Sequence, residues 1–232
     1  MMKKILFAFL LVGFGSAGCD LLSSATTFSI YTDYEEFTID TNQVGLTATG
    51  ETVPVIDCAN NDICSQASDQ LNCGGKEYSC DIQCGAGSTC EVVAAFEGNT
   101  EVDISKEVGN QVSQEALEKV TISQVEYEIP NNTLNFKTPQ IDFYVGPRNA
   151  TNTSDSGVEL LGTMLGIAAG ATPTDLMTIK GAGGAKFAEL AKTYNVPFKF
   201  FAKATLSFAS GSPIPVGSMK VRLRAKIKVT PL

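Results

Sequence analysis

The sequence predicts a mainly β protein, an antiparallel β-sandwich with one helix and a disulfide-rich insert or small module. Three observations carry this: strand-like runs with turn signals along most of the chain, one stretch with helical spacing, and six cysteines crowded between positions 58 and 90. In order, TFSIYT and EFTID are rich in aromatic and β-branched residues from Thr27 onward. The cysteine stretch follows, then Val102 and Ile104 alternating with acidic neighbours, then Ser113 to Lys119, read as about two helical turns. VTISQVEYEI is a long strand in which Val125, Tyr127 and Ile129 alternate with Glu126 and Glu128, and it is expected to stop at Pro130. IDFYVG is another strand, and residues 147–157, rich in Asn, Thr, Ser, Asp and Gly, form a surface loop. Short strands follow. Between Gly183 and Thr193, Phe187, Leu190, Ala191 and Tyr194 fall on one helical face, and Asn195 and Pro197 end the helix. Two amphipathic strands close the chain, VPFKFFAKATLSF and MKVRLRAKIKV, joined by the Gly/Pro loop SGSPIPVG.

The first nineteen residues, MMKKILFAFLLVGFGSAGC, combine two lysines, an apolar run from Ile5 to Phe14 and a small-residue stretch before Cys19. That is the pattern of a secretory signal peptide, the run being too short to span a bilayer as a helix. Ser16, Ala17, Gly18 and Cys19 resemble the lipobox of bacterial lipoproteins, which implies that Cys19 receives a diacylglyceryl group and becomes the acylated N-terminus. The expected division is a signal peptide at 1–18, a lipidated tether at 19–26, strand segments plus a disulfide-rich module at 27–99, and a β-sandwich at 100–232. The expected address is the bacterial cell envelope, at the outer membrane or cell surface in preference to the inner membrane.

From Val120 onward the layout also resembles the immunoglobulin-like sandwich of the LEA14 and water-stress (WHy) proteins, where a strand leads into an asparagine-proline-asparagine turn. The residues concerned are VEYEIPNNTLNFKTPQIDFYV, with the proline ahead of the asparagines. The resemblance implies an immunoglobulin-like fold and no particular activity.

The chain contains no histidine, which excludes Ser-His-Asp triads, Cys-His dyads and HExxH metal sites within it. Without Cys19, six cysteines remain, Cys58, Cys64, Cys73, Cys80, Cys84 and Cys90, in a segment poor in large apolar groups. An exported segment of this kind is read as held by three disulfides of unspecified connectivity. With no CxxC pair and no histidine, metal ligation is the weaker reading, and neither metal nor cofactor is expected. DTNQVGLTATGE, from Asp40 to Glu51, has oxygen donors at some positions of a calcium loop, but Val44 occupies position 5 and the flanks read as strands. GAGGAK at 181–186 is read as a flexible turn, its spacing fitting no phosphate motif.

Charge is unevenly distributed. Residues 186–232 carry a net +8, and residues 19–185 a net −18, giving −10 for the chain from Cys19. Nucleic acid is an unsuitable partner for such a chain. Within the basic end, Lys220, Arg222, Arg224, Lys226 and Lys228 alternate with apolar residues, which places them on one strand face. Two readings apply: the stripe pairs with the chain's own acids such as Glu126 and Glu128, or it docks an anionic lipid or an acidic envelope protein.

The function expected is that of a lipid-anchored, non-enzymatic envelope protein with a binding, adhesion or assembly role. The alternative is a carrier or sensor holding an apolar ligand between its sheets, lined in part by Phe198, Phe200, Phe201 and Phe208. A minor alternative is a hydrolase using carboxylates.

Overall fold

Strict alternation makes Met219, Val221, Leu223, Ala225, Ile227 and Val229 one apolar ridge, and the fold buries all six. The computed structural model describes residues 27–44, 52, 53, 55, 57, 58, 76–84, 89–109, 113 and 117–232. In chain order the strands are β1 (Phe28–Tyr31), β2 (Glu35–Asp40), β3 (Tyr78–Cys84), β4 (Cys90–Val102), β5 (Leu117–Asn132), β6 (Ile141–Pro147), β7 (Glu159–Met164), β8 (Thr174–Ile179), β9 (Phe198–Ala209) and β10 (Ser218–Pro231). Two helices are described, α1 (Ser105–Gly109) and α2 (Gly181–Lys192), with a 3-10 turn at Thr41–Val44.

All pairings are antiparallel, in the order β1-β10-β5-β8-β7-β6-β9-β4-β3, with β2 beside β1 on the same edge of β10. Thr174–Met177 of β8 pair with β5, and Thr178 and Ile179 pair with β7, so the sheet turns over at β8 into two layers. The result is an antiparallel sandwich joined along one edge, where an immunoglobulin domain keeps two separate sheets. Phe37 of β2 meets Phe143 of β6 across the layers, with ring centroids 5.8 Å apart. Helix α2 closes the corner after β8. Its Phe187 packs on Phe198 and Phe200 of β9 at 5.4 and 6.0 Å between centroids.

Several sequence expectations are corrected here. The strand expected to stop at Pro130 continues to Asn132, because Ile129 and Pro130 share a bulge: Lys220 faces Asn131 while Arg222 faces Glu128. A bulge tolerates a proline, since no ladder donor is required there. A second bulge, at Ser123, shifts the alternation so that Val120 and Ile122 join Val125, Tyr127 and Ile129 in packing on the core. Buried Asn132 satisfies its amide by donating to the Ala168 and Ala171 carbonyls at 3.1 and 3.0 Å and accepting from Leu134 N–H at 3.1 Å.

The helical turns expected over Ser113 to Lys119 are not helical where described: residues 117–119 already belong to β5, paired with β10. Long-range pairing overrides local preference there. A short helix stands instead at α1, whose first N–H groups include Ser105 N donating to Asp103 at 2.9 Å. The GAGGAK run is the first turn of α2, not a flexible connection. A Cβ on Gly183 would lie 2.2 Å from the Leu160 carbonyl oxygen, so glycine lets the helix seat directly on β7.

The division expected after residue 99 falls inside β4, which pairs with β9 along its length. Phe37, Ile39, Val92 and Phe96 share one buried cluster with Phe143, Leu161 and Val221. Residues on both sides of 99 therefore build one core.

Candidate binding surfaces

The five cations of β10 stand on the outward face of the first sheet, and the fold brings acids to three of them. Register places Glu36 of β2 opposite Arg222, and Lys220 and Arg222 reach its two oxygens at 2.5 and 2.9 Å. These two bonds hold the Glu36 carboxyl below the usual range. On the other side Glu126 of β5 faces Arg224, which binds it at 2.7 Å. Tyr34 donates to the same Glu126 at 2.8 Å, and its hydroxyl is pushed up, first by burial and then by that bond. The Arg224 guanidinium lies between the rings of Tyr31 and Tyr34, 4.7 and 4.6 Å from their centroids.

This aromatic clasp follows from a break in the edge strand. Between β1 and β2 the chain leaves the ladder, and Thr32 spans the gap with its N–H donating to the Ala225 carbonyl at 2.9 Å and its hydroxyl accepting from Ala225 N–H at 3.0 Å. Tyr31 and Tyr34 then flank the gap on the outer face. Lys226 lies 5.3 Å from the Tyr31 ring centroid. Lys228 is exposed, and neither lysine has an ion pair among the described residues.

Glu126 was legible in the sequence as a cross-strand neighbour of the stripe. Glu36, Tyr31 and Tyr34 were not, because their proximity to β10 depends on a pairing between opposite ends of the chain. The signal was local: in EEFTID, Glu36 and Thr38 alternate with Phe37 and Ile39.

The second sheet's outer face differs. Phe201 of β9 points outward yet is fully buried, covered by the loop of residues 147–158. A Cβ on Gly146 would meet Val158 at 2.6 Å and Phe201 at 3.4 Å. The loop is held by Lys199, donating to the Ala150 carbonyl at 2.9 Å, and by Glu97, accepting from the Thr153 N–H. Within the loop, Asp155 accepts from Thr151 N–H and hydroxyl at 2.6 and 3.0 Å, which lowers its carboxyl.

The four phenylalanines proposed to line a ligand chamber are dispersed. Phe198 and Phe200 pack with Phe187, Phe201 lies on the opposite face, and Phe208 is edge-on to Phe136 at 5.3 Å. Beside that last pair lies a groove of about 510 Å³, running from Asn135–Pro139 to the end of β9 and Pro213.

At the turn of the β3–β4 hairpin Cys84 faces Cys90, and Cys58 lies beside Cys90 with sulfurs 3.6 Å apart. Cys80 Sγ is 3.6 Å from the Val44 carbonyl oxygen. Cys19, Cys64 and Cys73, the signal peptide and the tether lie outside the described residues, as do positions 45–51 of the calcium-like loop. The described start of that loop is closed on itself: Asp40 accepts from Asn42 N–H and side-chain amide at 3.0 and 2.9 Å. No group of metal-ligating side chains is found among the described residues. Nor is any helix there long and apolar enough to cross a membrane.

No family model matches the chain, and no curated protein matches it. Among solved structures, a chain from the semi-empty virus-like particle of giant freshwater prawn Macrobrachium rosenbergii nodavirus is similar at 12% identity, over 99% of this chain and 94% of that one. Its TM-score is 0.22, and the likeness carries no argument about fold or function.

Proposed function

We propose that the chain is an exported, lipid-anchored protein of the bacterial envelope whose sandwich serves as a non-enzymatic binding or assembly module. The observation that carries this reading is the junction of leader and fold: Thr27 follows Cys19 by only eight residues and is already bonded to Thr230, hydroxyl to hydroxyl at 3.1 Å. An acylated Cys19 would hold the module against the bilayer instead of on a stalk. The lowered carboxylates agree, since Glu36, Asp103 and Asp155 all owe their shift to bonds that brace strands or loops, while Glu35 is raised by burial and accepts from the Thr100 hydroxyl.

In the same reading the six remaining cysteines pair as three disulfides, which suits export and a segment with little core of its own. The convergence of Cys58, Cys84 and Cys90 at one hairpin end supports this. The partners are the membrane, through the anchor, and an envelope protein or anionic lipid at the exposed faces.

Mass spectrometry of the detergent-extracted protein, denatured without reductant, tests the reading. The expected mass is residues 19–232 plus a lipid group, less six hydrogens. A mass beginning at Gly18 without lipid overturns the anchor, and six added hydrogens overturn the disulfides. Cys19→Ser is expected to move the protein from the membrane to the soluble fraction.

A further inference from the structure

The five cations of β10 share a face but not an environment. Lys220 and Arg222 are answered by Glu36, and Arg224 by Glu126. Beyond them, Lys226 stands between Tyr31 of β1 and Gln124 of β5, and Lys228 between Ser29 and Thr121. Neither flanking strand supplies a carboxylate to that stretch of the ladder. One step further, Lys119 faces Thr230, with Glu118 in the bulge beside it. The stripe is therefore neutralised at the Ser218 end and positive at the Pro231 end.

The positive end is also where the chain enters the fold, Phe28 facing Val229. From Cys19 to Thr27 the backbone spans at most about 29 Å at 3.3–3.6 Å per residue. Tyr31 and Tyr34, 40% and 38% exposed, stand on the same outer face, and such amphipathic rings suit a headgroup layer.

We propose that the face formed by Lys226, Lys228 and Lys119 docks on anionic lipid headgroups of the membrane that holds Cys19, turning the Glu36 end away from the bilayer. The docking rests on the anchored reading above, since the short tether supplies the proximity. Its chemistry is charge complementarity between clustered ammonium groups and phosphate, which a Debye length of about 8 Å confines to close approach.

The test separates docking from native lipidation. The chain from residue 19, carrying Cys19→Ser and an N-terminal hexahistidine, is held on nickel-chelating phosphatidylcholine vesicles with or without phosphatidylglycerol. Lysines are then acylated with an impermeant reagent and quantified by peptide mass spectrometry. On the anionic vesicles Lys226, Lys228 and Lys119 are expected to react more slowly by about fivefold, the factor equivalent to roughly 1 kcal/mol per lysine at an anionic surface, while Lys137 is unchanged. High salt is expected to abolish the protection. Lys226→Gln with Lys228→Gln is expected to remove it from Lys119, whereas Arg222→Gln is expected to leave it intact.

Equal reaction on both vesicle types overturns the proposal, as does protection centred on Lys220. Protection produced only by added polyglutamate overturns it in favour of an acidic protein partner. A native mass without lipid, obtained separately, would sink the anchor while leaving this vesicle result to be judged alone.

Discussion

The outer faces of β9 and β10 begin from the same device, a basic residue at alternate positions over an apolar inner row, and end in different states. On β9 the outward row is Lys199, Phe201 and Lys203, and the loop of residues 147–158 folds over it, burying the ring completely. On β10 the outward row is basic from Lys220 to Lys228, and it stays at the surface among tyrosines and glutamates. One aromatic side chain separates the two cases. A phenylalanine gains from a cover that removes its surface from water, whereas a row of ammonium and guanidinium groups would lose hydration under the same cover.

The largest expected effect therefore sits on β9. Phe201→Ala removes a buried ring from between sheet and loop, and is expected to cost about 3–5 kcal/mol in urea unfolding, against less than about 1 kcal/mol for Arg222→Ala on β10. Similar costs for the two would erase the distinction between a covered and an open face. A smaller effect is expected at the loop's latch. Glu97→Ala leaves the Thr153 N–H without its acceptor and Lys203 without its carboxylate, 3.9 Å away. The expected cost is about 1–3 kcal/mol, seen as faster hydrogen exchange in residues 147–158 with β10 protection unchanged.

The strands of this comparison were largely legible in the sequence, since β5, β9 and β10 carry long alternating runs and α2 a clear 3.6-residue face. Less visible was what crosses between distant segments. β4 contains CEVVAAF, a good strand, yet its cysteine neighbours drew the segment into a separate module, and only pairing with β9 shows where it belongs. Pro130 read as a terminus because a bulge cannot be seen without the partner strand. Of the stripe's environment, Glu126 could be inferred from its alternation on an adjacent strand. Glu36 and the two tyrosines required β2, near the start of the chain, to lie against β10 at its end. Burial of Phe201 was hidden for a related reason: the covering loop is polar in composition, and its inward contacts come from Val158 and the backbone around Gly146.

On β10 itself the clasp around Arg224 is the next thing to break. Arg224→Lys keeps the charge but loses the planar group that lies between two rings while binding Glu126. It is expected to cost about 1 kcal/mol, with a coupling to Glu126→Gln of about 0.2–1 kcal/mol in a double-mutant cycle. A vanishing coupling would mean that the rings alone hold the guanidinium.

The smallest effects lie in two adjacent carboxylates of β2 and carry opposite signs. Glu36 faces outward and is lowered by its bonds to Lys220 and Arg222, so its contribution is fully present above the unfolded carboxylate pKa of about 4.3 and disappears as pH falls through the folded value. Glu35 faces inward, where burial raises it despite the hydroxyl of Thr100 donating to it at 2.7 Å. The folded state thus holds the Glu35 proton to higher pH than the unfolded state does, and stability is lost as pH rises through that window. Glu36→Gln is accordingly expected to destabilise at pH 7 and become neutral in acid, by no more than about 1 kcal/mol for an exposed pair. Glu35→Gln, which keeps an acceptor for Thr100, is expected to stabilise slightly at pH 7, again with no effect in acid. Urea midpoints for both variants across this range decide the matter. Equal signs at neutral pH would show that inward and outward placement on β2, and with it the contrast between buried and open faces, does not govern these charges.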